Sequence, residues 1–257
     1  HYQLEEPKVT FDIDEIFKCD IPELGTDAIL LLNGWYYKRN NRSLEILENG
    51  AIIGSLYHAA KEYPEIVEKH FGKYADPSKD GLTALNTAFS QDGIFFYVPD
   101  GVVIEKPIQI INILLDDKNL LVQHRNLFVI GENSQARIVI CDHTLCDKDF
   151  LTNSVTEIFA SKSSHFDIVK MQNEHNDSTQ LSSTFINQEG KSYVSTNIIT
   201  LHGGVIRNNI EVKMTGEGCE NNSFGLYLTD KEQHISNHTI IEHASPNCLS
   251  NQKFKGV

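Results

Sequence analysis

From Ile198 to Phe254 an apolar residue recurs every fourteen positions: Ile198, Val212, Leu226, Ile240 and Phe254. Side chains alternate faces along a strand and fourteen is even, so in a chain of stacked strands each of these residues falls on the same side as the last. Asn208, Asn222, Asn237 and Asn251 keep nearly the same step, at fourteen, fifteen and fourteen positions, as amide ladders at recurrent turns do. The pattern predicts a stacked β-coil.

The residues before this window agree with it back to about Ile94. Phe95 to Val98, Val102 to Ile104 and Ile108 to Leu115 are rich in branched and aromatic residues and are punctuated by Pro99, Gly101 and Pro107. Leu181, Ser183 and Phe185 alternate, as do Ile206, Asn208, Ile210, Val212 and Met214, and no helix-period stretch follows Gly93. Strands this short and numerous close their hydrogen bonds in a sandwich, a barrel or a solenoid. The fourteen-residue step selects the solenoid, and Gly203-Gly204 and Gly216-x-Gly218 fit its corners. The expected fold is mainly β: a flattened, parallel β-helix over residues 93–257 with two strands per turn, each half-turn taking one fourteen-residue step.

Residues 1–92 read as a separate mixed segment. Ala28 to Leu32 and Trp35 to Tyr37 flank Asn33-Gly34, which supplies the positive φ angles of a two-residue hairpin turn. Ser55 can cap a helix through Tyr57, Ala59 and Ala60. Pro64 suits the first turn of a second helix that closes at Gly72 with Lys69 and His70 near its C-terminus, and Leu82, Leu85 and Phe89 mark a third after Asp80-Gly81.

A formal net charge of −13 over 257 residues, with no basic run, argues against a sequence-independent grip on nucleic acid or on an anionic membrane. The longest apolar stretch, Ala28 to Leu32, is far short of the roughly 20 residues that span a bilayer. Cys19, Cys141, Cys146, Cys219 and Cys248 are odd in number, widely spaced and lack a C-x-x-C pair, which fits a reducing compartment and hence the cytoplasm. The chain starts at His1 and stops within strand-like sequence at Val257, so it is expected to be part of something longer, cut at both ends.

Several strings resemble the SufD family, the scaffold subunit of the SufBCD iron–sulfur cluster assembly complex. They are D-G-L-T-A-L-N-T-A-F from Asp80, D-G-I-F-F-Y-V-P-D-G from Asp92 and P-I-Q-I from Pro107, then R-N-N-I-E-V at Arg207 and G-L-Y-L at Gly225. Q-H-I-S-N-H-T-I-I-E-H at Gln233 and F-K-G-V at Phe254 complete the set. The resemblance runs from about Asp80 to the end, with a looser match before it. It implies a right-handed parallel β-helix flanked by helical segments, and a non-catalytic scaffold that pairs with SufB and with the SufC ATPase. The SufC-binding region is expected beyond Val257, so this chain is expected not to bind SufC. SufB shares the fold; A-L-N-T-A-F at Ala84, V-P-D-G at Val98 and N-H-T-I-I-E-H at Asn237 have the SufD form. No resident cofactor is expected, an iron–sulfur cluster being a transient cargo of the full complex, and a flavin is not assigned. A SufB-like homodimeric scaffold and a carbohydrate-active β-helix enzyme are the alternatives.

The residues themselves offer few chemical constellations. His238, Glu242, His243 and Cys248 are a tempting ligand cluster, but if Asn237 to His243 is one strand, His238 and Glu242 face one side and His243 the other. Pairing by hydrogen bonds within stacked coils is the favoured role. Cys141 and Cys146 bracket Asp142 and His143; Cys141 follows Ile138, Val139 and Ile140, as a small buried hydrophobe does. Between Leu151 and Val257 only Asp167, Asp177 and Asp230 are aspartates, too few for the paired carboxylates of a glycoside-cleaving β-helix. No phosphate-binding glycine loop and no Ser–His–Asp order stands out. No catalytic, cofactor-binding or metal residue is assigned.

Overall fold

The computed structural model describes residues 28–37, 43–230 and 232–257. Cys19 lies outside them. From Ile94 onward consecutive strands are dealt alternately to two sheets. In one sheet the order is β16 (Leu249–Gly256), β14 (Glu220–Tyr227), β12 (Tyr193–His202), β10 (His165–Asn173), β8 (Gln135–Thr144), β6 (Ile108–Leu114), β1 (Ile29–Leu32) and β2 (Trp35–Tyr36). In the other it is β15 (His234–His243), β13 (Val205–Met214), β11 (Thr179–Gln188), β9 (Phe150–Ala160), β7 (Leu120–Ile130), β5 (Ile94–Val98), β4 (Ile52–Ser55) and β3 (Leu44–Ile46). The chain is a parallel β-solenoid of about six turns with two strands in each.

Inward and outward positions alternate along every rung. Phe128, Ile158, Ile186, Ile210 and Val212 face Ile138, Phe166, Val194 and Ile198 across the space between the sheets, in one apolar cluster that runs the length of the solenoid. Phe96, Phe128 and Phe166 meet there edge-on or tilted, with ring centroids 6.2–6.5 Å apart. Burying such rings contributes on the order of 2 kcal/mol each.

The hairpin forms as the Asn-Gly turn predicts: Leu32 pairs with Trp35, and Asn33 and Gly34 have φ of 50° and 84°. β1 also pairs in parallel with β6, and β4 pairs antiparallel with β5, so strands preceding residue 93 join the end of both sheets. Helix α1 (Leu56–Glu62) starts where the Ser55 hydroxyl accepts from the His58 N–H, and α2 (Pro64–His70) has proline in its first turn. Helix α3 (Gly81–Phe89) is capped by the Asp80 carboxylate, which accepts from Thr83 N–H at 2.8 Å.

The structure corrects two expectations. The apolar residues of α3 predict its presence but not its seat, for Phe89 is 47% exposed and the buried residues are Thr83 and Asn86. The Asn86 amide donates to the carbonyls of His124 and Asn153 on β7 and β9, so this helix is seated by hydrogen bonds. The fourteen-residue rule holds on average but not in phase. Ile198 stacks on Gly225, a coil one residue short of two such steps, whereas Gly225 on Phe254 and Val212 on Ile241 are each one residue long. Ile198, Val212 and Phe254 therefore face the core, while Leu226 and Ile240 are shifted by one residue and turn outward, 41% and 47% exposed. The asparagine ladders are present, though in strands and not at turns: Asn208 donates to Asn237 at 3.0 Å and Asn251 to Asn222 at 2.8 Å.

Candidate functional site

The solenoid interior changes character halfway along, and nothing in the sequence periodicity announces it. Between the apolar layers lies a block of inward-facing polar side chains, most of them buried, from six strands. Inward-facing alternation places Asn112 on β6, His124 on β7, Asp142 and Thr144 on β8, Lys170 and Gln172 on β10, Gln180 and Ser182 on β11, and Asn208 on β13. Glu174 joins them just past the end of β10. In periodicity each counts simply as the inward residue of its strand, which is why the pattern alone conceals the block.

Hydrogen bonds join these side chains in a network. The Asp142 carboxylate accepts from Asn112 Nδ2 at 2.5 Å and from Gln180 Nε2 at 2.6 Å, and lies 3.4 Å from Lys170 Nζ. Lys170 also donates to Ser182 at 2.9 Å. Glu174 accepts from Thr144 at 2.6 Å, and Gln172 links Gln180, Thr200 and Asn208. Burial, with the Asp142 charge beside it, pushes the Glu174 carboxyl up to about 7. Burial pulls the His124 imidazole down to about 4, so His124 is neutral at physiological pH. A cavity touching this block has a volume of about 30 Å³, lined by His124, Asn112, Lys170, Ser182 and Thr196 among others. That is room for about two water molecules. The side chains of the block serve one another as hydrogen-bond donors and acceptors.

A second polar centre holds the helices on the sheet. Glu157 is fully buried and accepts from Arg125 Nε and Nη2 at 3.1 and 2.7 Å, and from the backbone N–H groups of Gly72, Tyr74 and Ala75 at 2.8–3.1 Å. Arg125 also stacks over the Phe71 ring and lines a cavity of about 150 Å³ under α1 and α2. Burial pulls His70, whose ring lies tilted against Phe159 with centroids 4.5 Å apart, down to about 4.

The ligand-like residues singled out from the sequence do not converge. His238 and Glu242 point outward from β15, with Glu242 near Lys213 at 3.5 Å; His243 points inward and its Nε2 lies 2.9 Å from Ser250 Oγ. Cys248 sits on a corner against the Gly216 carbonyl. Among the described residues no group of three or more His, Cys, Asp or Glu side chains is arranged to hold a metal ion. Cys141 is buried, and Cys146 packs against the cluster of Leu114, Leu120, Val122 and Phe150. No helix among the described residues is long and apolar enough to cross a membrane.

What the surface offers lies at the far end of the solenoid. Among the described residues β15 and β16 pair on one side only, leaving a row of backbone donors and acceptors on each. Around them stand Phe224, Leu226, Ile240 and Leu249, between 36% and 64% exposed. Leu226 and Ile240 are the residues that the fourteen-residue rule assigned to the core. Coils counted one residue short or one residue long of the double step would have identified them.

Two family models match the sequence along nearly the whole chain. Residues 1–110 match the SufBD protein N-terminal region, and residues 113–257 match the SufBD core domain of the SUF system for iron–sulfur cluster assembly. The iron–sulfur cluster assembly protein SufB of Bacillus subtilis strain 168 is 26% identical over 266 residues, covering 98% of this chain and 54% of its own length. SufBD family proteins of Staphylococcus epidermidis and Staphylococcus haemolyticus are each 25% identical over 260 residues, with the same coverage. The chain thus spans about half the length of these relatives. With its core profile matched over more than half of its residues and a parallel solenoid beneath that match, the chain belongs to the SufBD family of iron–sulfur cluster assembly proteins.

Proposed function

We propose that the chain is the stiff shaft of a SufD-type scaffold, non-catalytic in itself, which pairs with SufB and works with the SufC ATPase while an iron–sulfur cluster is assembled as transient cargo. The reading rests chiefly on the family match along the chain, joined to a parallel solenoid that turns Leu226 and Ile240 outward. Outward-facing apolar side chains on a stiff sheet supply burial on docking. The SufD assignment over SufB is supported by the strings at Ala84, Val98 and Asn237.

Reconstitution tests it. The full-length protein, mixed with SufB and SufC, is expected to elute as one complex that takes up iron and sulfide. A protein that pairs only with itself and is indifferent to SufB would support the SufB-like homodimeric alternative and overturn the SufD reading. Within that assay, Leu226→Glu with Ile240→Glu is expected to weaken pairing at least tenfold while leaving the melting temperature within about 2 °C, since both side chains are outward.

A further inference from the structure

One corner of the solenoid repeats a single hydrogen-bonded motif through five coils. Ser134, Ser164, Ser192, Cys219 and Cys248 occupy it in turn. The N–H of the following residue in each coil donates to the carbonyl of the corner residue below: His165 to Ser134, Tyr193 to Ser164, Glu220 to Ser192 and Leu249 to Cys219, all at 2.8–2.9 Å. In the first two rungs the hydroxyl bonds the carbonyl three residues earlier, Gly131 and Ser161, at 2.6 Å. Cys219 keeps that bond to Gly216 at 3.1 Å. Cys248 reaches down to the same Gly216 carbonyl at 3.4 Å.

Two successive rungs of the ladder therefore carry thiols aimed at one oxygen. Parallel rungs stand about 4.8 Å apart. That falls inside the roughly 4.4–6.8 Å range of Cα separations that a disulfide spans. The two sulfurs differ in access: Cys219 is 1% exposed, whereas Cys248 is only partly covered. Burial also raises the Cys219 thiol above its ordinary range, so Cys248 is the sulfur an outside reagent meets first.

We propose that Cys219 and Cys248 are a modification site, a thiol pair that exchanges with a small disulfide of the glutathione type to close a reversible cross-link between these two corners. The Cys248 thiolate attacks the reagent's disulfide, forms a mixed disulfide and releases one glutathione thiolate. The Cys219 thiolate then attacks the Cys248 sulfur, the Cys219–Cys248 bond forms and the second glutathione thiolate leaves. The two protein thiols are oxidised, the reagent's disulfide is reduced to two thiols, and the two cysteine protons end on them. The product would staple the coil that carries Cys248 to the coil beneath it.

Treating the full chain with oxidised glutathione under native conditions, followed by peptide mapping without reduction, tests the proposal. The expected result is a linked peptide pair containing Cys219 and Cys248, two hydrogens lighter than the free pair and reversed by dithiothreitol. Cys219→Ser should stop at a glutathione adduct on Cys248, and Cys248→Ser should show neither product. Serine already fills three rungs of this corner, so both variants are expected to fold. Glutathione retained on Cys248 of the unsubstituted protein without a link, no modification of either thiol, or linkage of either to another cysteine would each overturn it.

Discussion

Glu174 is a carboxyl group kept beside another carboxylate, in a space closed to bulk water. Unfolded, it ionises near 4.5; folded, burial and Asp142 raise that to about 7. A raised carboxyl pKa means that the folded state holds the proton more tightly, so the associated stability is full below pH 4.5 and is lost as pH rises through 7. Glu174→Gln, which mimics the protonated form, is expected to be more stable than the parent at pH 8 by ~3 kcal/mol and equal to it near pH 4.5. Urea melts at the two pH values measure this; a constant difference would refute the assignment. Glu157 has the opposite character, a carboxylate matched by Arg125 and three backbone N–H groups. Glu157→Ala leaves Arg125 buried without its partner, so a loss of about 3–5 kcal/mol is expected. Hydrogen exchange should also quicken first at residues 72–75.

At the scale of elements, the rungs are held by what lies directly above and below. Gly225 is required there because a Cβ at that position would lie 2.2 Å from the ring of Phe254 in the next coil. Gly225→Ala is expected to push Phe254 out and cost ~1–3 kcal/mol through overpacking. The visible sign would be earlier proteolysis between residues 249 and 256; an unchanged digestion pattern would count against this packing. Asn208 bridges Gln172 and Asn237 across the interior. Asn208→Leu would take a hydrogen-bond partner from Asn237 and from Gln172, which keeps its bonds to Gln180 and Thr200, so a loss of roughly 1–3 kcal/mol in all is expected. Helix α3 follows the same logic. Its hydrophobic stripe was legible, but Asn86 docks it, because two backbone carbonyls on β7 and β9 were within reach of one amide.

For the whole molecule, a solenoid whose coils touch only their neighbours is stiff along its length and weakest at its ends. Its outermost described strands are where apolar side chains, open backbone edges and the Cys219–Cys248 corner come together. Docking over Leu226 and Ile240 buries apolar surface that otherwise faces outward. Binding of a partner is therefore expected to raise the unfolding temperature, in proportion to the logarithm of partner concentration over its dissociation constant. A thermal melt of the full-length protein across a SufB titration measures this, and a flat response would exclude docking there.

Alternation of period two, a mean step near fourteen, the Asn33-Gly34 turn and the helix starts at Ser55, Pro64 and Asp80 were determined by the sequence, because each depends on neighbours close along the chain or on a repeat. The strings that place the chain in its family were legible for the same reason. The facing of Leu226 and Ile240 was not, since a coil shortened or lengthened by a single residue reverses a side chain, and only strand pairing sets that length. Nor was the meeting of Asp142, Lys170, Glu174 and Gln180. Their contacts join positions whose separation along the chain depends on how each corner turns, and those corners are decided by packing between coils.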